Sequence, residues 1–70
     1  MNRISVSSSN ISSIGYDAET QTLEVEFHDG SIYQYYGVPQ LEHAGLMNAD
    51  SHGKYLDLYI KDKYRYQKIK

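Results

Sequence analysis

The residues best suited to chemistry lie at the end of the chain. There "KDKYRYQKIK", residues 61–70, interleaves Lys61, Lys63, Arg65, Lys68 and Lys70 with Tyr64 and Tyr66. Cations hold phosphate, and aromatic rings stack on unpaired bases for about 1–3 kcal/mol each. Such a mixture suits single-stranded nucleic acid, with Lys61, Lys63, Arg65 and Lys68 on phosphate and Tyr64, Tyr66 or Tyr36 stacking. Its plainer explanation is a terminal amphipathic strand whose lysines protect an open sheet edge.

Charge bears on the choice. The net charge is −2, but it is unevenly placed. Residues 1–53 carry Arg3 against seven acidic side chains, whereas residues 54–70 carry six basic side chains against two acidic ones. A basic end on an acidic body can address an anionic partner if the acidic portion faces away. A solvated helix face accounts for the imbalance equally well.

Catalytic constellations are poor. His28, His43 and His52 are scattered, without metal-ligand spacing, and a lone histidine on a small domain is usually just surface. Ser51 and His52 are neighbours, but a serine–histidine pair needs an orienting acid and an oxyanion site. Glu24 and Glu26 share a strand face, as alternation alone would arrange. The five glycines are isolated, so no phosphate-cradling loop is present. No enzyme, metal or cofactor is expected.

Seventy residues without cysteine form one small domain, residues 1–70, that must be stabilised by dense packing, oligomerisation or both. Eight tyrosines can supply that packing, each burying about 150–250 Å² while its hydroxyl finds a polar partner. No apolar run reaches the roughly 20 residues of a membrane helix. "MNRISVSSSN" lacks the apolar block of a secretory signal, so a cytoplasmic location is expected.

The elements that would position these residues follow from periodicity. Ile4 and Val6 suit a short strand, and residues 11–17 a second extended piece. "TLEVEFH" alternates most clearly, with Leu23, Val25 and Phe27 on one face. Asp29-Gly30 then marks a hairpin. A two-residue loop would put Tyr33 and Tyr35 on the polar face with Glu24 and Glu26. A three-residue loop with a left-handed Gly30 pairs Val25 with Tyr33 and Leu23 with Tyr35 instead. The second segregates apolar from polar and is the expected register. Tyr33 and Tyr35 then belong to the core, while Ile32 and Tyr36 lie on the outer face and need a cover or a partner. Pro39 suits the start of a helix over residues 39–48, with Leu41, Ala44 and Met47 at helical spacing and Leu46 nearby. Ser51 or Asp50 can cap a second helix over about residues 53–62, with Tyr55, Leu56, Tyr59 and Ile60 as its stripe. "YRYQKIK" closes as a strand. The expected fold is α+β: a small antiparallel sheet of three to four strands with two short helices, in the order β-β-β-α-α-β.

Taken in order, "SSNISSIGYD", "TLEVEFHDGSIYQYYGVP", "LMNADSHGKYLDLYIKDKY" and "YRYQKI" resemble the KTSC domain family over nearly the whole chain. Tyr33-Gln34-Tyr35 followed by Gly37-Val38-Pro39 is the most specific part, and Ser51-x-Gly53 supports it. The resemblance implies a domain found alone in bacterial and phage proteins and at the C-terminus of some lysyl-tRNA synthetases, a context that suggests RNA binding. Tyr33, Tyr35, Gly37 and Pro39 would be family motif positions whose first duty is packing. With no synthetase catalytic domain in this chain, a stand-alone version that aminoacylates nothing is expected. Two functions stand: an accessory RNA-binding module, and a module that binds a protein partner or a second copy of itself.

Overall fold

The hairpin at Asp29-Gly30 organises the sheet. In the computed structural model, which describes residues Met1–Lys70, the Phe27 N–H donates to the Ser31 carbonyl at 2.9 Å, and the Gly30 N–H donates back to Phe27 at 2.9 Å. Gly30 has φ +90, the left-handed conformation that a three-residue loop of this kind requires. Leu23 therefore opposes Tyr35, Val25 opposes Tyr33 and Glu24 opposes Gln34. The register that separates apolar from polar side chains is the one adopted.

Five strands form one antiparallel sheet, each next to its neighbour in sequence: β1 (Arg3–Ser5), β2 (Ile11–Asp17), β3 (Thr22–Phe27), β4 (Ile32–Tyr36) and β5 (Arg65–Lys68). Two helices, α1 (Gln40–Asn48) and α2 (His52–Tyr55), lie between β4 and β5, and α2 runs on into a π-helix over Leu56–Ile60. The α+β class and the two helices are as expected. The strand count is corrected from three or four to five, and four strands rather than three precede the helices.

Non-local pairing explains the difference. β1 holds its strand through the ladder Arg3↔Gly15, Ile4↔Ile14 and Ser5↔Ser13, although Ile4 stays largely exposed. In β2 a bulge shifts the register between Ile11 and Ser13. The extra residue lets Ile11 and Ile14, three apart, both turn inward, which simple alternation forbids.

The core lies between one sheet face and the helices. It comprises Ile11, Ile14, Leu23, Val25, Tyr35, Val38, Leu46, Leu56 and Ile60. Helix α1 is rotated from its apolar periodicity. Leu46 is buried and Met47 partly so, whereas Leu41 is 87% exposed. Glu42 and His43 are half-buried instead, because tyrosines supply their partners. The His43 ring stacks on Tyr16 with centroids 4.4 Å apart, and the Tyr16 hydroxyl donates to the Val38 carbonyl at 2.5 Å. His43 is thus an inward-facing residue, and burial lowers its pKa.

Helix α2 is capped by Ser51, whose hydroxyl accepts the Lys54 N–H at 3.2 Å. A Cβ on Gly53 would sit 2.4 Å from the Asn10 side-chain oxygen, so glycine there lets α2 press against the β1–β2 loop.

Candidate functional site: an aromatic groove beside the π-helix

The helical layer does not cover the whole inner face. Where it ends, a groove of about 410 Å³ opens between the π-helix and the β3–β4–β5 side of the sheet. Phe27, Tyr33, Tyr35 and Tyr66 line it, with Leu56, Asp57 and Lys61 contributed by the π-helix and its end, and Asn10 and Ser31 by loops. Its volume falls within the range of small-ligand sites, roughly 300–1,000 Å³.

The sheet register assembles the aromatic wall. Tyr66 pairs with Tyr35, and Lys68 with Tyr33, so all four side chains share the inner face. The three tyrosine rings sit with centroids 6.5 Å (Tyr33–Tyr35), 6.0 Å (Tyr33–Tyr66) and 5.9 Å (Tyr35–Tyr66) apart. Phe27 meets Tyr33 edge-on at 5.7 Å. Tyr35 is 3% exposed and anchors the set, whereas Tyr66 is 58% exposed and offers its ring. Burial first, then Tyr33, Tyr66 and Asp57, pushes the Tyr35 phenol up to about 12, so its hydroxyl is a neutral hydrogen-bonding group at neutral pH.

Hydroxyl bonding divides the tyrosines into two sets. Tyr16, Tyr36, Tyr55 and Tyr64 donate within the chain. Tyr33, Tyr35, Tyr59 and Tyr66 form no such bond; Tyr59 is half-exposed away from the groove, and since no buried polar side-chain atom is left without a partner, the Tyr35 hydroxyl opens to the groove. A fold that needed these hydroxyls would have bonded them.

The π-helix builds the rim. Its bond from the Lys61 N–H to the Leu56 carbonyl, 2.8 Å, spans five residues, and the wider winding places Leu56, Asp57 and Lys61 together over the rings. π-turns of this kind recur at functional sites. Neither Asp57 nor Lys61 enters an ion pair in this structure; the ion pairs are Arg3 with Glu24 and Glu26, and Lys63 with Glu42.

The residues expected from sequence to bind nucleic acid are thus only partly brought together. Lys61, Tyr66 and Lys68 lie on the groove side. Arg65 pairs with Tyr36 and faces the opposite side of the sheet. Lys63 and Tyr64 are tied to Glu42, at 3.9 and 3.0 Å. Glu42 also accepts the Tyr55 hydroxyl at 2.5 Å, and that bond, with burial and the carboxylate charge, raises the Tyr55 phenol to about 12. This node joins α1, α2 and the approach to β5. Tyr36 lies on the outer face, its hydroxyl held between Gln34 and Gln67. Among the motif positions, Tyr35 is buried, Tyr33 is half-buried, Gly37 has φ +71 and Pro39 precedes α1.

Asn10, Phe27, Leu56 and Asp57 were not legible as site residues. Asp57 belongs by periodicity to a solvated helix face, and only the groove gives it a role. The histidines remain apart: the His28 ring donates to the Ser8 carbonyl at 2.8 Å and the His52 Nδ1–H to the Leu46 carbonyl at 2.9 Å. No group of three His, Cys, Asp or Glu side chains is placed to hold a metal ion. No helix is long and apolar enough to cross a membrane.

The chain belongs to the KTSC domain family, whose model matches residues 7–64. It is 46% identical to a KTSC domain protein of Yersinia pestis whose crystal structure superposes with a TM-score of 0.93, covering 99% of this chain and 97% of that one. It is 43% identical over 70 residues to an uncharacterized protein of Stutzerimonas stutzeri, covering 99% of each. It is also 43% identical over 54 residues to a lysine–tRNA ligase of Trichormus variabilis, where the match takes 77% of this chain and 10% of the ligase.

Proposed function

We propose that this KTSC domain is an accessory RNA-binding module whose groove receives an unstacked base of a single strand. The observation that carries the reading is the set of three tyrosines, Tyr33, Tyr35 and Tyr66, with hydroxyls unused by the fold beneath an unpaired Lys61. Tyr66 and Tyr33 stack the base, and Lys61 and Lys68 hold flanking phosphates. Arg65 and Lys63 add long-range attraction only. The match to a short part of lysine–tRNA ligases supports an RNA context. The reading is of a binding module, not an enzyme.

The rival is a protein-interaction or self-association module. Leu58, 73% exposed on the π-helix beside half-exposed Tyr59, favours it. The outer face favours it less than the sequence suggested. Ile32 is only 8% exposed, and its backbone is bonded to Ile69 and Lys70 of the same chain.

An NMR titration with a short mixed-sequence single-stranded RNA, at low and moderate salt, tests the proposal. Shifts should centre on Phe27, Tyr33, Lys61, Tyr66 and Lys68 and weaken with salt. Tyr66→Ala should remove about 1–3 kcal/mol of binding while leaving the fold intact. Lys61→Glu should weaken binding more than Lys63→Glu or Arg65→Glu. Absence of binding at low salt, or binding indifferent to Tyr66→Ala and Lys61→Glu, would overturn it. Sedimentation over a wide concentration range decides the self-association rival.

A further inference from the structure

We infer that the groove selects guanine, with Asp57 as the residue that reads the base. The inference rests on the base-stacking reading above and deepens it. Asp57 lines the groove beside Tyr35 and Leu56, and it is exposed. No side chain of the chain hydrogen-bonds it or pairs with it, although Lys61 lines the same groove. A bare carboxylate beside a polyanion is unfavourable unless the ligand brings donors to it.

The four RNA bases differ in what they bring. An ionised carboxylate is acceptor-only and can accept two parallel hydrogen bonds. Guanine presents N1–H and an N2 amino N–H side by side on its Watson–Crick edge, which matches the two oxygens. Adenine and cytosine each present one amino group next to an acceptor nitrogen, which would repel the second oxygen. Uracil presents a single N–H flanked by carbonyls. A base stacked on Tyr66 and aimed at Asp57 is therefore favoured when it is guanine. Lys61, also on the rim, is left for the phosphate. The tyrosine hydroxyls and Asn10 add polar partners at the groove wall.

The same base could arrive in an RNA strand or as a free nucleotide, so the experiment uses both. Fluorescently labelled pentanucleotides, all-uridine or with a single central guanosine, adenosine or cytidine, are titrated at low salt against the wild-type protein and Asp57→Asn. Guanosine and adenosine monophosphates are titrated in parallel. The guanosine-containing strand should bind about tenfold more tightly than the others. Asp57→Asn should shrink that preference to within about twofold. Binding that depends on Tyr66 but shows no guanine preference would overturn this inference and leave the RNA-binding reading standing. So would a preference that survives Asp57→Asn. Guanosine monophosphate binding as tightly as the strand would support guanine selection and remove RNA as its source. No binding of any probe would overturn both.

Discussion

The two faces of the sheet carry similar chemistry to opposite ends. On the outer face, Glu24 is buried among polar side chains. Arg3 bonds it, Gln34 donates to it at 2.8 Å, and Tyr36 continues the chain to Gln34 and Gln67. Ser13 links Arg3 to Glu26 at 3.0 Å on each side. Charge meets charge, and hydroxyl meets amide. On the inner face, beyond the helices, Asp57, Lys61 and three tyrosine hydroxyls are left without such partners. Charges and aromatics mark a binding surface only when the fold has not used them. By that criterion the outer network is structural and the groove is available.

The contrast between the faces is greatest at the neighbouring residues Tyr35 and Tyr36. Tyr35→Ala should cost about 3–5 kcal/mol in urea unfolding, as for other large aromatic truncations in cores. Tyr36→Ala should cost about 1 kcal/mol, the scale of its hydrogen bonds. Equal losses would mean that the two faces contribute alike.

Next in size is Glu24. Burial alone would raise its carboxyl, but the hydrogen bonds from Gln34 and Arg3 and the Arg3 charge outweigh it and hold the pKa below the usual carboxylate range. A depressed folded-state pKa contributes stability that is present above the unfolded value, about pH 4.3, and lost as pH falls through the folded value. Glu24→Ala should cost about 1–3 kcal/mol at neutral pH. Glu24→Gln should flatten the acid limb of a stability–pH profile. An unchanged acid limb would show that the network contributes nothing measurable.

The smallest effect sharpens the tyrosine division at alkaline pH. The Tyr35 and Tyr55 phenols are both pushed up to about 12. A phenol raised in the folded state contributes stability that is complete below its unfolded pKa, about 10, and lost as pH rises through the folded value. Their causes differ, since burial dominates at Tyr35 and the Glu42 bond at Tyr55. Glu42→Gln, followed by phenolate absorbance, should lower the Tyr55 titration and leave that of Tyr35 in place. It should cost stability by no more than about 1 kcal/mol. If both titrations move, the groove and the Glu42 node are one coupled unit.

Local chemistry determined a good deal by itself. The alternation of Leu23, Val25 and Phe27 together with Asp29-Gly30 set one hairpin register, because a slip of one residue would have exchanged the faces. Pro39 marked one helix start, since it lacks an N–H, and Ser51 or Asp50 the other, since either side chain can accept one. Tyr35 was legible as core for the same reason as its partner Leu23. Tertiary structure decided what remained. The short strand expected near Ile4 and Val6 is held as β1 by its ladder with β2, and the bulge that turns both Ile11 and Ile14 inward has no local signal. Glu42 and His43 face inward because tyrosines from other elements receive them, while Leu41, more hydrophobic than either, is left outside. Strand alternation separated Arg65 from Tyr66 and Lys68, so a basic run in sequence became two faces in space. Asp57 entered the groove because the π-turn sits over rings from β3, β4 and β5. Periodicity reports a residue's own preference for water, whereas a site depends on which distant groups the fold brings close and which of them it leaves without partners.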